Sequence, residues 1–375
     1  MVFNRSHKIK LYPTKEQEAK LAQQAGLARF VYNWAIDQNE KDYQEYKEGK
    51  REKAPSFYDL SREFTQYKKN NAPEWLSEAI SQTSHHVIED CSNAYKNFFT
   101  KKSKYPKYHK KGIKDIFYIS NQSAKIVDKF FKCSKIGYVK LAEKPRYTGK
   151  IMSYTISKDK GEWFVSINYE LEEEDPRPVC SNLESVVGVD VGIKNSITLS
   201  TGEQYNIRDT KKLENRIKYQ QRYLSRSKKD SKNHIKRLTK LHSTRRKLQN
   251  QVKDDIHKAT TAICKNHGIV VIENLNVTSM VKTAKGKAMR RNLNNARMNE
   301  IHRQLQYKSQ KCVKVDRFFA SSQICSNCGS KQKMPLKERT YVCHSCGVFL
   351  DRDINAAKNI RNQYLSGQGM SIVCC

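Results

Sequence analysis

Nowhere does this 375-residue chain run far without a charge, and no apolar stretch is long enough to span a bilayer. No amphipathic segment stands apart as a surface anchor, which leaves membrane attachment without support. The opening MVFNRSHKIKLYP lacks an apolar signal core, so nothing argues for export. No repeat of solenoid length is visible. Acidic residues are scarce: 38 Asp plus Glu stand against 71 Lys plus Arg, a formal net charge of +33 spread over most of the length. Such a chain repels itself unless a polyanion is near, so nucleic acid is the expected partner, with binding that weakens steeply as salt rises. Eleven cysteines in so basic a chain fit a reducing cytosol better than a disulfide scaffold. The last two, Cys374 and Cys375, do not make a prenylation box.

The length suits two or three modules. HKIKLYP reads as a short strand ended by Pro13, and TKEQ as a capping box in which Thr14 and Gln17 open a helix. Leu27, Phe30, Val31, Trp34 and Ala35 then share one helical face, and helical text continues to about Phe99. In KKSKYPKYHKKGIK, lysines alternate with Tyr105 and Tyr108, which predicts a flexible arm carrying phosphate contacts and stacking surfaces. From Ile116 to Tyr169 the period is two, with Asp159-Lys160-Gly161 as a hairpin turn, predicting a small antiparallel sheet or barrel. LEEEDPRPVC, residues 171–180, reads as a linker. Beyond it, the apolar strands of VVGVDVGIKNSITLS and IVVIENLNV flank a long basic helical hairpin from about Lys211 to His267, broken near SKKDSKN. KTAKGKAMRRNLNN reads as a basic loop, followed by a helix around Ile301–Lys311. Helices between buried strands imply an α/β core.

Two constellations carry chemistry. Cys325 and Cys328, then Cys343 and Cys346, form CxxC pairs, each followed by a glycine (Gly329, Gly347) that frees a tight turn. Four thiolates in this spacing close a tetrahedron around Zn²⁺ and leave no open position, so the site is structural. An iron–sulfur cluster could use the same ligands, but paired knuckles across a hairpin favour zinc. The second constellation is dispersed. Asp190 interrupts an apolar strand, Glu273 ends another, and Asp353 opens the helix DINAAKNI, where Ala356 and Ala357 permit close packing on a sheet. Singly, each has an ordinary explanation as a turn residue, a solvated strand end or a helix cap. Together, three acids on two core strands and one helix could converge at a sheet edge, where their repulsion calls for divalent cations. Two Mg²⁺ ions on such oxygens can drive phosphodiester hydrolysis.

GVDVGIKN, VIENLNV and SSQICSNCG…YVCHSCGVFLDRDINAAKNI, in this order, resemble the TnpB family of transposon-encoded proteins, which are similar to compact type V CRISPR effectors. The resemblance extends to HKIKLYPTKEQEAKL, AYKNFF and TISKDKGEWFVSINYE. It implies a multidomain α+β protein. Its RNase H-like (RuvC-like) α/β nuclease core holds an inserted zinc ribbon, and its N-terminal β-barrel wedge holds an inserted helical recognition module. The implied bounds are 1–13 for the first wedge strand, 14–114 for the helical module and 115–180 for the wedge and linker. The core takes 181–320, the ribbon 321–347, and the last catalytic helix with its tail 348–375. By position, Asp190, Glu273 and Asp353 match the catalytic, Mg²⁺-binding acids, with Asp351 as the rival of Asp353. The implied activity is that of an RNA-guided endonuclease that cuts double-stranded DNA beside a short flanking motif, using a guide RNA from the transposon end and two Mg²⁺ ions. The implied location is the prokaryotic cytosol or nucleoid, without a membrane or an obligatory protein oligomer. Base pairing would supply sequence specificity while the basic surface holds the duplex by its backbone. Gln82, His85, Lys104, Tyr105, Lys107, Tyr108, Arg245, Arg246, Arg290 and Arg291 are the nucleic-acid-contact candidates. SGQGMSIVCC follows soon after the last helix, so a longer family tail is expected to be absent or trimmed. The competing readings are an RNA-guided binder or repressor that does not cleave, and a strand-transferring transposase.

Overall fold

The computed structural model describes residues 2–71, 73–80, 82–172, 177–182, 184–193, 195–229, 231–335, 338–367 and 370–373. The chain divides into two compact units, Met1–Asp175 and Pro176–Cys375.

In the first unit, strand β1 (Val2–Tyr12) stops at Pro13, which has no amide hydrogen to continue a ladder. Thr14 and Gln17 then cap each other, side chain to backbone in both directions, and open helix α1 (Lys15–Lys47). Leu27, Val31 and Ala35 of α1 are buried, and Phe30 and Trp34 pack against the same core. Helix α2 (Phe57–Asn70) carries a second reciprocal cap, from Ser56 and Asp59. A 3₁₀ turn at Glu74–Glu78 and helix α3 (Thr83–Phe99) complete the helical part. Six strands follow: β2 (Ile116–Ser120), β3 (Ala124–Val127), β4 (Phe130–Cys133), β5 (Gly137–Leu141), β6 (Lys150–Asp159) and β7 (Glu162–Glu172). With β1 they form one antiparallel sheet in the order β2-β6-β7-β1-β5-β4-β3. The long β1 pairs with β7 through residue 10 and with β5 at Leu11 and Tyr12, so one strand serves both halves of the sheet. Lys160 and Gly161 both have positive φ, 50° and 84°, the geometry a two-residue hairpin demands.

The lysine–tyrosine segment has neither helix nor strand, yet it is not a free arm. The Tyr105 hydroxyl donates to Glu40 at 3.0 Å, Tyr108 bonds to Asp37, and the ring of His109 stacks on Tyr32 at 3.6 Å. Acids and an aromatic ring on α1 thus hold it down, a pairing that the composition of the segment alone does not reveal.

The second unit is built on β8 (Val186–Asp190), β9 (Ile197–Leu199), β10 (Gln204–Tyr205), β11 (Ile269–Ile272), β12 (Lys311–Val315) and β15 (Met370–Val373). Their order is β10-β9-β8-β11-β12-β15; β8, β11 and β12 run parallel, while β9 and β15 are antiparallel to their neighbours. Between β10 and β11 lies the hairpin of α4 (Lys211–Ser225) and α5 (Lys232–Asn266). Between β11 and β12 lie α6 (Val277–Thr283), α7 (Lys287–Asn295) and α8 (Met298–Lys308). A small ribbon of β13 (Thr340–Val342) and β14 (Phe349–Asp351) leads directly into α9 (Arg352–Leu365).

Strand alternation sorts the core. Val187, Val189, Val270 and Ile272 pack with Ile256 and Ile263 of α5 and Ile301 and Leu305 of α8. Val271 and Val313 point the other way and meet Ile360 of α9.

The segment expected as a basic loop, residues 282–295, holds the end of α6 and all of α7 instead. Asn276 caps α6 by accepting from the Ser279 amide, and Leu293 is the buried anchor of α7. A single buried side chain per short helix, Val277 in α6 and Leu293 in α7, leaves too weak a periodicity to stand out beside a run of cations in the sequence. Of the expected linker, residues 173–176 lie outside the described residues, as do Cys374 and Cys375. Among the described residues no helix is long and apolar enough to cross a membrane.

Candidate metal centres

Asp190 is the last residue of β8, and Glu273 directly follows β11. Because Val189 and Ile272 are register partners in parallel strands, the two acids leave the sheet side by side at the same end. The third acid arrives on α9, which packs so tightly on β8 that only glycine fits beneath it. A Cβ on Gly188 would collide with the carbonyl oxygen of Ala357 and lie 2.7 Å from the Arg361 amide nitrogen. Ala356 and Ala357, both buried, complete this close contact.

Asp351 and Asp353 have different places. Asp351 is the N-cap of α9, its Oδ1 accepting from the amides of Asp353 at 2.8 Å and Ile354 at 3.2 Å. Asp353 is buried in the first turn, where Asn195 donates to one carboxylate oxygen and Arg352 to the other, each at 3.4 Å. Glu273 accepts from the Ser321 hydroxyl at 2.6 Å.

The carboxylates sense one another. Burial raises the pKa of Asp190 well above the ordinary carboxylate range, Glu273 and then Asp353 add to the rise, and Arg352 opposes it. Burial likewise raises Glu273, against the Ser321 hydrogen bond. Their oxygens are not drawn into one tight knot. Among the described residues, the sets of three or more ligand atoms all within 4.8 Å of one another are the four cysteines and His85–His86–Glu89. Hard carboxylate oxygens with an excess of negative charge fit Mg²⁺ as a donor set.

The soft-metal site is compact. Cys325 and Cys343 are buried, Cys328 and Cys346 exposed, and the Sγ separations of Cys325–Cys346 and Cys328–Cys343 are both 3.6 Å. A tetrahedron with metal–sulfur bonds of ~2.3 Å has edges of roughly 3.8 Å, so the cluster fits a structural zinc ion. The two knuckles repeat one design. Gly329 donates to the Cys325 carbonyl and Gly347 to the Cys343 carbonyl, each at 3.0 Å and with φ of 76° and 71°. The Ser330 hydroxyl lies 3.2 Å from the sulfurs of both Cys328 and Cys343, and its hydrogen bond draws the Cys343 thiol down to about 5. Such a thiol is readily a thiolate.

Sequence reasoning missed the link between the two centres. Asn355, fully buried, donates to the Ile324 carbonyl and accepts from the Ser326 amide, at 2.7 and 2.9 Å. One turn later Asn359 donates to the carbonyls of Ser321 and Ile324, at 2.7 and 2.6 Å. These amides lock α9 to the turn segment leading into the first knuckle, which also carries the Ser321 that holds Glu273. Two asparagines at i, i+4 on the alanine face of DINAAKNI were the available signal.

The nucleic-acid candidates are dispersed. Gln82 (in left-handed conformation, φ 64°) and His85 are exposed at the start of α3, and Lys104, Tyr105, Lys107 and Tyr108 are exposed along α1. In the second unit, Arg245 and Arg246 are half-buried on α5, and Arg290 and Arg291 are exposed on α7.

A mixed sheet with two acids at the ends of neighbouring parallel strands, a third on the helix packed against it, and a four-cysteine ribbon leading into that helix define an α/β class. Known proteins resemble this chain. Residues 166–284 match a family profile described as "Probable transposase", 299–360 a "Cas12f1-like, TNB domain", and 1–48 a "Helix-turn-helix domain". In the last range the structure has a strand and one continuous helix. A protein of Streptomyces pristinaespiralis, named as an RNA-guided DNA endonuclease, is 32% identical over 373 residues, covering 95% of this chain and 88% of its own. Escherichia coli K12 InsQ, also named as an RNA-guided DNA endonuclease, is 29% identical, covering 94% and 90%. The structure of the mini-RNA-guided endonuclease CRISPR-Cas_phi3 shares the fold with a TM-score of 0.50 at 10% identity, over 98% of this chain and 93% of that one. The chain belongs to the TnpB family.

Proposed function

We propose that this protein is an RNA-guided, Mg²⁺-dependent endonuclease that cuts double-stranded DNA beside a short flanking motif, using RNA from a transposon end. The observation that carries the proposal is geometric: parallel register brings Asp190 and Glu273 out of neighbouring core strands at the same end, and α9, packed on Gly188, carries Asp353, in a strongly basic protein. Counting β8 as first, the order β10-β9-β8-β11-β12 is 3-2-1-4-5 with only the second strand reversed, which supports an RNase H-like, RuvC-like reading. In that reading residues 181–320 and 348–375 are the nuclease core and 321–347 its zinc ribbon. Residues 1–13 and 115–180 are a barrel-like wedge around the helical recognition module, 14–114.

Asp190, Glu273 and Asp353 would hold the magnesium ions. When bound, the ions supply Lewis-acid charge that makes a water nucleophilic and stabilises the leaving oxygen of a phosphodiester. Ser321 fixes the Glu273 carboxylate, Asn195 and Arg352 fix that of Asp353, and Asp351 holds the first turn of α9 in place. Lysines and arginines across the surface hold nucleic-acid backbones while base pairing selects the sequence.

The protein purified with its RNA should cleave a matched duplex in Mg²⁺. Asp190→Ala should reduce the rate by at least the 10²–10⁴-fold range typical of lost catalytic groups, roughly, while RNA binding persists. Cleavage by that variant at the wild-type rate would reject the site. Sequencing the co-purified RNA tests guidance directly. A second reading, strand transfer, is favoured only by the transposase description of the matched profile. Joined products with transposon ends would establish it.

A further inference from the structure

The α4–α5 hairpin contains a pocket that the nuclease site does not use. It encloses about 340 Å³ between Arg216, Tyr219, Gln220 and Tyr223 of α4 and Arg237 and Lys240 of α5. That lies within the ~300–1,000 Å³ of ordinary small-ligand pockets. Its floor is unusual. The one buried side chain of α4 is not apolar but Gln220, 8% exposed, and neither its amide nitrogen nor its amide oxygen has a hydrogen-bond partner among the described residues. A buried amide with both ends unpaired is costly, and helix pairs normally place leucine there. Around it the walls are aromatic and cationic. Tyr219 and Tyr223 are 58% and 42% exposed with ring centroids 4.4 Å apart, and the Arg237 guanidinium lies 6.0 Å above the Tyr223 ring.

We infer that this pocket receives one unpaired nucleobase of a single strand. A base edge offers a donor beside an acceptor, which is what a free carboxamide can satisfy at both ends. The face of a base stacks on tyrosine, and three cations at the rim suit the flanking phosphates. The guide RNA and a displaced DNA strand both supply such a base. The inference rests on the nucleic-acid reading proposed above, but not on cleavage.

The test uses the full-length protein in EDTA, so that catalysis plays no part, and raised salt, so that phosphate contacts are muted. Fluorescence anisotropy compares short single strands carrying bases with abasic strands of equal length, in RNA and DNA arms, for wild type, Tyr219→Ala and Gln220→Leu. The preference for base-bearing over abasic strands should fall on the order of tenfold in both variants. The arm in which it falls identifies the source of the base. A preference unchanged in both arms overturns the inference. Gln220→Leu should also melt no lower than wild type, because it removes an unpaired buried amide. A clear drop in its melting temperature would mean that the amide is satisfied and would equally overturn the inference. Wild-type cleavage in Mg²⁺ is measured separately, so a failed nuclease reading and a failed pocket give different results.

Discussion

At Gly188 an added methyl group has nowhere to go, since the backbone of α9 occupies the space. Gly188→Ala should therefore cost ~1–3 kcal/mol, read from denaturant midpoints, and should suppress cleavage by displacing Asp353. The same change at Gly26 should have the opposite sign. Gly26 lies within α1 at ordinary helical dihedrals, and its new Cβ would meet only the Arg29 guanidinium, at 3.5 Å. Gly26→Ala should stabilise by ~0.5–1 kcal/mol, because alanine loses less backbone freedom on folding. Both are glycines between apolar neighbours in the sequence, and only the packing separates them. Glu300 offers a pH test. Its paired bonds from Arg303, at 2.9 and 2.7 Å, with a further bond from Gln304, hold its carboxyl down to about 2. A depressed folded pKa gives stability that is complete above the ordinary value near 4.5 and is lost as pH falls towards 2. The gap in denaturant midpoint between wild type and Glu300→Gln should stay constant above pH 4.5 and close below it.

At the scale of elements, the ribbon and α9 behave as one piece. The four thiols set the two knuckles, and Asn355 and Asn359 tie the approach to the first knuckle onto the helix that carries Asp353. Stripping the metal with a chelator should raise amide hydrogen exchange across residues 321–351 and in the first turn of α9. The β1–β7 ladder of the other unit should keep its protection. Uniform exchange across both units would contradict this coupling. The CxxC spacing, the Thr14–Gln17 cap and the Lys160–Gly161 turn were all legible in the sequence, because each is decided within a few residues. Helices α6 and α7 were not, because each rests on about one buried side chain that becomes an anchor only when the sheet is present.

At the scale of the molecule, charge dominates. A net +33, which the short acidic run at 172–175 barely offsets, makes binding to nucleic acid a counterion-release process. Neutralising 6–10 phosphates would lower the affinity by roughly 10³–10⁵ between about 50 and about 200 mM salt. A titration of affinity against salt measures the slope, and a flat response would mean that the lysines and arginines face solvent and not phosphate.

By itself the sequence determined the paired cysteine spacing, most of the strand and helix text, the charge, and which three acids were candidates for a shared site. These follow from spacing, periodicity and composition, which act locally along the chain. Tertiary structure alone decided that β8 and β11 lie in parallel register, that α9 rides on Gly188, and that Asp351 caps α9 while Asp353 is buried in its first turn, held by Asn195 and Arg352. It alone left the Gln220 amide without a partner among the described residues. Those outcomes depend on contacts between segments far apart in sequence, whose geometry no local pattern encodes.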